Sequence, residues 1–186
     1  MSSREKILSA IRGISLEPKA LPQIPDFGID GDVKDSFIRS ILGNKGEVMS
    51  RIEFETWISS THFPKVISLS SQFAELSTSN LPEDPHELND VGLTILDGQF
   101  GVAENGVIWL EDNELGLRAL PFITEHLVIV LNENSLVETM HQAYDRIGSA
   151  SSGFGVFIAG PSKTADIEQS LVIGAHGAKS LRVVLL

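Results

Sequence analysis

Four short apolar runs constrain the fold more than any other feature of this chain. They are VGLTIL at 91–96, LVIVL at 127–131, FGVFIA at 154–159 and LRVVLL at 181–186. Each has strand length, is rich in branched residues and lacks the polar alternation of a half-exposed strand. Segments of helical character fill the gaps between the last three. Strand, helix, strand, helix, strand with apolar strands predicts an α/β domain, with a mostly parallel sheet covered by helices on both faces. KVISL at 65–69 and Glu47–Ile52 supply further strands, and Phe37, Ile38, Ile41 and Leu42 recur at helical spacing, as do Phe54, Trp57 and Ile58. Ser135 and Glu138 have capping-box spacing before Leu136, Met140, Tyr144 and Ile147, which predicts a helix of about three turns ending at Gly148. The polar, proline-containing stretch from Ser70 to Asn89 reads as irregular.

Upstream lies a different kind of sequence. Ser2 and Glu5 also form a capping box, Ile7, Leu8 and Ile11 share one helical face, and Gly13 is a stop. Pro18, Pro22 and Pro25 then resist both helix and central strand. Residues 1–31 therefore read as a short helix on an extended arm, and 32–186 as the α/β domain. Such an arm leaves the helix free to dock on another subunit or on a second copy of the chain.

A length of 186 residues suits one domain with an appended arm, and no apolar run approaches a membrane span. The N-terminal charges do not fit a secretion signal, so the expected location is the cytoplasm. A formal net charge of −11 opposes binding to nucleic acid or an anionic membrane. With no cysteine, the chain has no thiol nucleophile and no thiolates for an iron–sulfur cluster, so a centre of that kind belongs to a partner. The chain's own cofactor, if it has one, is not identified by its residues.

Three places have residues suited to chemistry. In GPSKTADIE, residues 160–168, an apolar strand ends at Gly160 and small polar residues lead into a helical segment. Gly160 permits close backbone approach, Ser162 and Thr164 offer hydroxyls, Lys163 adds a positive charge, and helix N-terminal amides favour an anion. The competing reading is an ordinary capped strand-to-helix loop, with Asp166 and Glu168 complementing the helix dipole. A Walker loop is excluded by Ser162 and Phe157, which stand where glycines are required, and a dinucleotide fingerprint by Ile158. In FGVAENGVIWLEDNE, residues 100–114, Asn105-Gly106 predicts a hairpin turn. Glu104 then points to solvent, or sits at the sheet mouth as a nucleophile, base or ligand anchor. His126, His141 and His176 share no metal-ligand spacing and read as packed or capping residues.

GPSKTADIE followed by LVIGAHGAKSLRVVLL resembles the C-terminal signature of the LUD-domain family, named for lactate utilisation. AENG at 103–106 and Glu125-His126 precede it in the expected order, and the likeness spans roughly residues 35–186. The resemblance implies a Rossmann-like domain related to sugar-phosphate isomerases and coenzyme A transferases. It also implies a role beside iron–sulfur protein subunits that oxidise L-lactate to pyruvate. Glu104 and Gly106 match the family's Ala-Glu-Thr-Gly-Thr stretch, whereas Asn105 and Val107 replace its two threonines. Gly160, Pro161, Ser162, Thr164, Ala165 and Asp166 match the second motif. Three functions follow as expectations: an accessory subunit binding a small anion or a partner's cofactor at 160–164, with Glu104 facing the same cleft; a free-standing enzyme on a phosphorylated or acyl-activated metabolite using Glu104; or an interaction module acting through residues 1–30.

Overall fold

The computed structural model describes residues 2–15, 19–20, 22–25, 27–148, 153–165 and 171–186. In chain order the elements are α1 (Ser3–Arg12), α2 (Val33–Gly43), β1 (Glu47–Ser50), α3 (Arg51–Ser60), β2 (Val66–Ser68), β3 (Leu93–Asp97), β4 (Phe100–Gly101) and β5 (Ile108–Glu111). After these come α4 (Asp112–Leu115), α5 (Leu120–Ile123), β6 (His126–Leu131), α6 (Met140–Ile147), β7 (Gly155–Ile158), β8 (Lys163–Ala165), β9 (Leu171–Ile173) and β10 (Ser180–Leu185).

Five strands make a parallel sheet in the order β1-β10-β6-β3-β2. On one face Phe37 and Ile41 of α2 pack against Leu127, Ile129, Leu131, Leu181 and Val183. On the other, Phe54 of α3 packs with Val66, Leu93, Ile95, Val128, Val130 and Val184. Burial on both faces removes any need for polar alternation, which explains the unbroken apolar runs. The α/β class with a mostly parallel sheet and helices on both faces is what the sequence predicts.

FGVFIA departs from that prediction. It forms β7, which pairs antiparallel with β5 in a separate three-stranded sheet, β4-β5-β7. The run is apolar throughout because this sheet is also covered twice. Ile158 faces the α2 side of the core, while Phe157 packs against Trp109 with ring centroids 4.7 Å apart.

The helix predicted from Leu136 starts later, at Met140, because residues 136–138 are held extended. Val137 N–H donates to Gly101 O, and its own carbonyl accepts from Ala103 N–H, both at 2.8 Å. Thr139 is the cap, accepting from Gln142 N–H, so the Thr-x-x-Gln signature prevails over Ser135-x-x-Glu138. Tyr144 is largely exposed.

α1 forms with its Ser2–Glu5 capping box, and all of its residues are exposed. The later part of the arm folds back onto the domain. Phe27 stacks on His141 at 5.4 Å, Ile29 N–H donates to Glu138 Oε2, and the Ile29 side chain joins the core.

Candidate functional site

The two motifs meet at the C-terminal turn of α2. Gly106 has φ +73° and closes the predicted hairpin, its N–H donating to Val102 O at 2.8 Å. A Cβ there would lie 2.9 Å from Ile41 N, so only glycine lets the turn sit against α2. Ser40 Oγ donates to Ala103 O at 2.8 Å, and Asn44 Nδ2 donates to Asn105 O at 2.7 Å. Asn44 also bounds the second motif, since a Cβ on Gly160, which has φ +148°, would lie 2.6 Å from its carbonyl oxygen. Asn44 belongs to no motif in the sequence; it follows the end of α2 and precedes Lys45, a non-glycine residue with φ 69°.

Beyond Gly160 the structure corrects the expected strand-to-helix loop. Lys163–Ala165 is strand β8, paired antiparallel with β9, with Lys163 opposite Ile173. The helical segment expected after this loop falls on residues 166–170, outside the described residues. Asp166 and Glu168 lie outside the described residues. Pro161 is buried, Thr164 half-buried and Lys163 exposed, and none of the three lines a cavity among those described.

Ser162 does line one. Its N–H donates to Ala178 O at 2.8 Å and its carbonyl accepts from Gly174 N–H at 3.0 Å, which lays Gly160–Ser162 beside the Gly174–Ala178 loop. Between them is a cavity of about 240 Å³, with Leu127, Phe157 and Ile158 as apolar walls and Ser162 and His176 as polar groups. A more open space of about 550 Å³ shares Phe122, His176 and Gly177 with it and adds Ile123, Thr124, Glu125 and Lys179. Lys179 forms an ion pair with Glu125, and that hydrogen bond and charge hold the Glu125 carboxyl below its usual range. This cleft lies where β6 and β10 begin, at the amino edge of the parallel sheet rather than the expected carboxyl edge.

Glu104 is not in the lining. Its carboxylate accepts from the Met140 amide at 2.8 Å, capping the first turn of α6, and its own N–H donates to Glu138 O. That is the position in which a helix dipole favours an anionic side chain.

The histidines separate. His176 is exposed at the cleft, and His141 is the packed partner of Phe27. His126 points to the α3 face, with Nδ1 2.7 Å from Ser180 Oγ. Arg182 donates to the same oxygen at 2.8 Å and to Glu47 at 3.1 Å, and its guanidinium lies 4.2 Å from the Trp57 ring centre. Burial lowers the His126 pKa, partly offset by Glu125. Among the described residues no group of three or more acidic or histidine side chains is placed to hold a metal ion, and no helix is long and apolar enough to cross a membrane.

Parallel sheet, flanking antiparallel sheet and a cleft with hydroxyl, imidazole and ammonium groups define a small α/β protein with a ligand-sized hollow. Residues 37–186 match the LUD domain, and the chain belongs to that family. A crystal structure of a DUF162 family protein from Deinococcus radiodurans superposes with a TM-score of 0.62 at 19% identity, covering 82% of this chain and 95% of that one, which supports the fold. Lactate utilization protein C of Bacillus pumilus is 32% identical over 90 residues, 45% of this chain and 38% of its own length. Its namesake in Shouchella clausii is 33% identical over 96 residues, 49% of this chain and 41% of its own length. The matched stretch thus spans about two fifths of either relative.

Proposed function

We propose that this protein takes part in lactate utilisation as a non-redox component. In this reading it works in the cytoplasm beside iron–sulfur subunits that oxidise L-lactate to pyruvate. The observation that carries it is the LUD-domain match over residues 37–186; Ser162 and His176 on the lining of the smaller cavity, with Lys179 on the adjoining open space, support the reading. A short carboxylic acid fits such a site: Lys179 and Ser162 meet the carboxylate, and Phe122 and Leu127 meet the carbon chain. The chain has no cysteine, so its residues do not fit a cluster of their own. Docking on partner subunits or a second copy falls to α1, where Ile7 and Ile11 are 60% and 59% exposed on one helical face.

A free-standing enzyme using Glu104 is less well supported, because that carboxylate already caps α6. Calorimetric titration with L-lactate and pyruvate tests the binding step. Saturable heat that weakens in Ser162→Ala and Lys179→Met is expected. Equal binding by both variants, or none by the parent chain, would remove the cleft from the proposal.

A further inference from the structure

A second hollow lies at the opposite edge of the parallel sheet, and nothing in the reading above uses it. Its volume is about 400 Å³, and it is lined by Gln72, Asp97, Gly98, Val130, Asn132 and Leu186. They lie at the carboxyl ends of four adjacent strands: Gln72 after β2, Asp97 and Gly98 at the end of β3, Val130 in the last residues of β6 with Asn132 after it, and Leu186 after β10. Ligands of open parallel sheets gather at this edge.

The polar groups there have fixed roles. Gln72 Oε1 accepts from Arg51 Nη2 at 2.8 Å, and a guanidinium only donates, so the Gln72 amide nitrogen must carry its two hydrogens elsewhere. Asn132 Oδ1 accepts from the Asn134 amide at 2.9 Å, which likewise commits Nδ2 to donating. Asp97 accepts from Ser70 Oγ at 2.5 Å and from Ser71 N and Oγ at 2.9 Å. Three bonds leave a carboxylate with about four acceptor sites room for one more donor. The residues of the lining therefore have two amide groups committed to donating, one carboxylate acceptor, and apolar surface from Val130 and Leu186.

We infer that this hollow binds an uncharged, hydroxylated molecule through a vicinal diol. A hydroxyl both donates and accepts, so one of a pair can donate to Asp97 while the oxygens of the pair accept from both Asn132 and Gln72. The Asp97 charge opposes an anion. An ammonium group has no acceptor for the two amides.

The test is an NMR titration of the full chain that follows the side-chain NH₂ signals of Gln72 and Asn132. D-ribose is the probe, with deoxyribose, inorganic phosphate and L-lactate as comparators. Ribose is expected to shift both signals saturably and deoxyribose to shift them less. Gln72→Ala and Asn132→Asp should each weaken the response about tenfold, the equivalent of one hydrogen bond. Asn132→Asp keeps the acceptor that receives the Asn134 amide and removes only the donor, so its loss of binding is not a loss of fold. No shift with ribose, or larger shifts of the same signals with phosphate or lactate, would overturn the assignment.

Discussion

Gly160→Ala separates two explanations of the second motif, close packing and ligand approach. A Cβ at 160 meets the Asn44 carbonyl oxygen at 2.6 Å and Asn44 Cβ at 3.3 Å, and φ is +148°. The backbone conformation alone costs an L-residue about 1–2 kcal/mol. Forcing apart the packed segments adds about 1–3 kcal/mol. A total near 3 kcal/mol lowers the melting temperature by about 6–12 °C for a chain of this size. Two further alanines isolate the contributions. Gly31 has φ +97° with no atom within 4 Å, so Gly31→Ala carries only the backbone cost. Gly43 is helical with open space around it, so Gly43→Ala is neutral or stabilising by up to about 1 kcal/mol. Urea unfolding of the three variants should rank them 160, 31, 43 from most to least destabilised. If Gly160→Ala were as stable as Gly43→Ala, the contact with Asn44 would not be what requires glycine.

Glu104→Ala removes the acceptor for the Met140 amide and should destabilise by about 1 kcal/mol, with Glu104→Gln losing less; hydrogen exchange at Met140 reports the lost cap directly. Burial lowers the His126 pKa below its ordinary 6.5, so the folded state favours the neutral ring. Stability from this residue is complete above 6.5 and is lost as pH falls through the lowered folded value. Denaturant midpoints against pH should show that slope in the parent and lose it in His126→Gln, while an NMR titration places the His126 midpoint below 6.5. Deleting residues 1–15 takes away a helix whose side chains are exposed throughout, so the melting temperature should stay constant while light scattering or pull-down shows a loss of assembly.

Much of the fold was legible because its local signals agree with its tertiary contacts. The apolar runs of β3, β6 and β10 became central parallel strands, and Asn105-Gly106 lies in the hairpin connection between β4 and β5, which is wider than the two-residue turn the dipeptide indicates, with positive φ at Gly106 and not at Asn105. FGVFIA carried the same signal for a different reason. Burial on both faces looks alike in a parallel strand and in an antiparallel one between two cores, and only the pairing with Trp109 and Leu110 distinguishes them. The start of α6 was misplaced because two capping signatures four residues apart compete, and the choice is made by long-range pairing of Val137 with the 101–103 segment.

The candidate site was half visible. Gly160 and Ser162 were named, and both lie beside the cleft, but the neighbours that build it, Phe122, His176 and Lys179, come from α5 and from the loop before β10. Of these only His176 stands out in the sequence, where it reads as a packed or capping residue. Residues 160–164 read as a strand-to-helix loop because small polar residues follow an apolar strand and lead into a segment of helical character. In the fold Lys163–Ala165 instead finds a strand partner in β9.

The most direct measurement is lactate-dependent reduction of an artificial electron acceptor, made on the purified chain and on the material that co-purifies with a tagged copy from its own cells. The account predicts activity in the co-purified material alone, together with iron and sulfide that this cysteine-free chain cannot hold. Lactate oxidation by the isolated chain would contradict it, as would inactivity of the co-purified material with its iron–sulfur subunits intact.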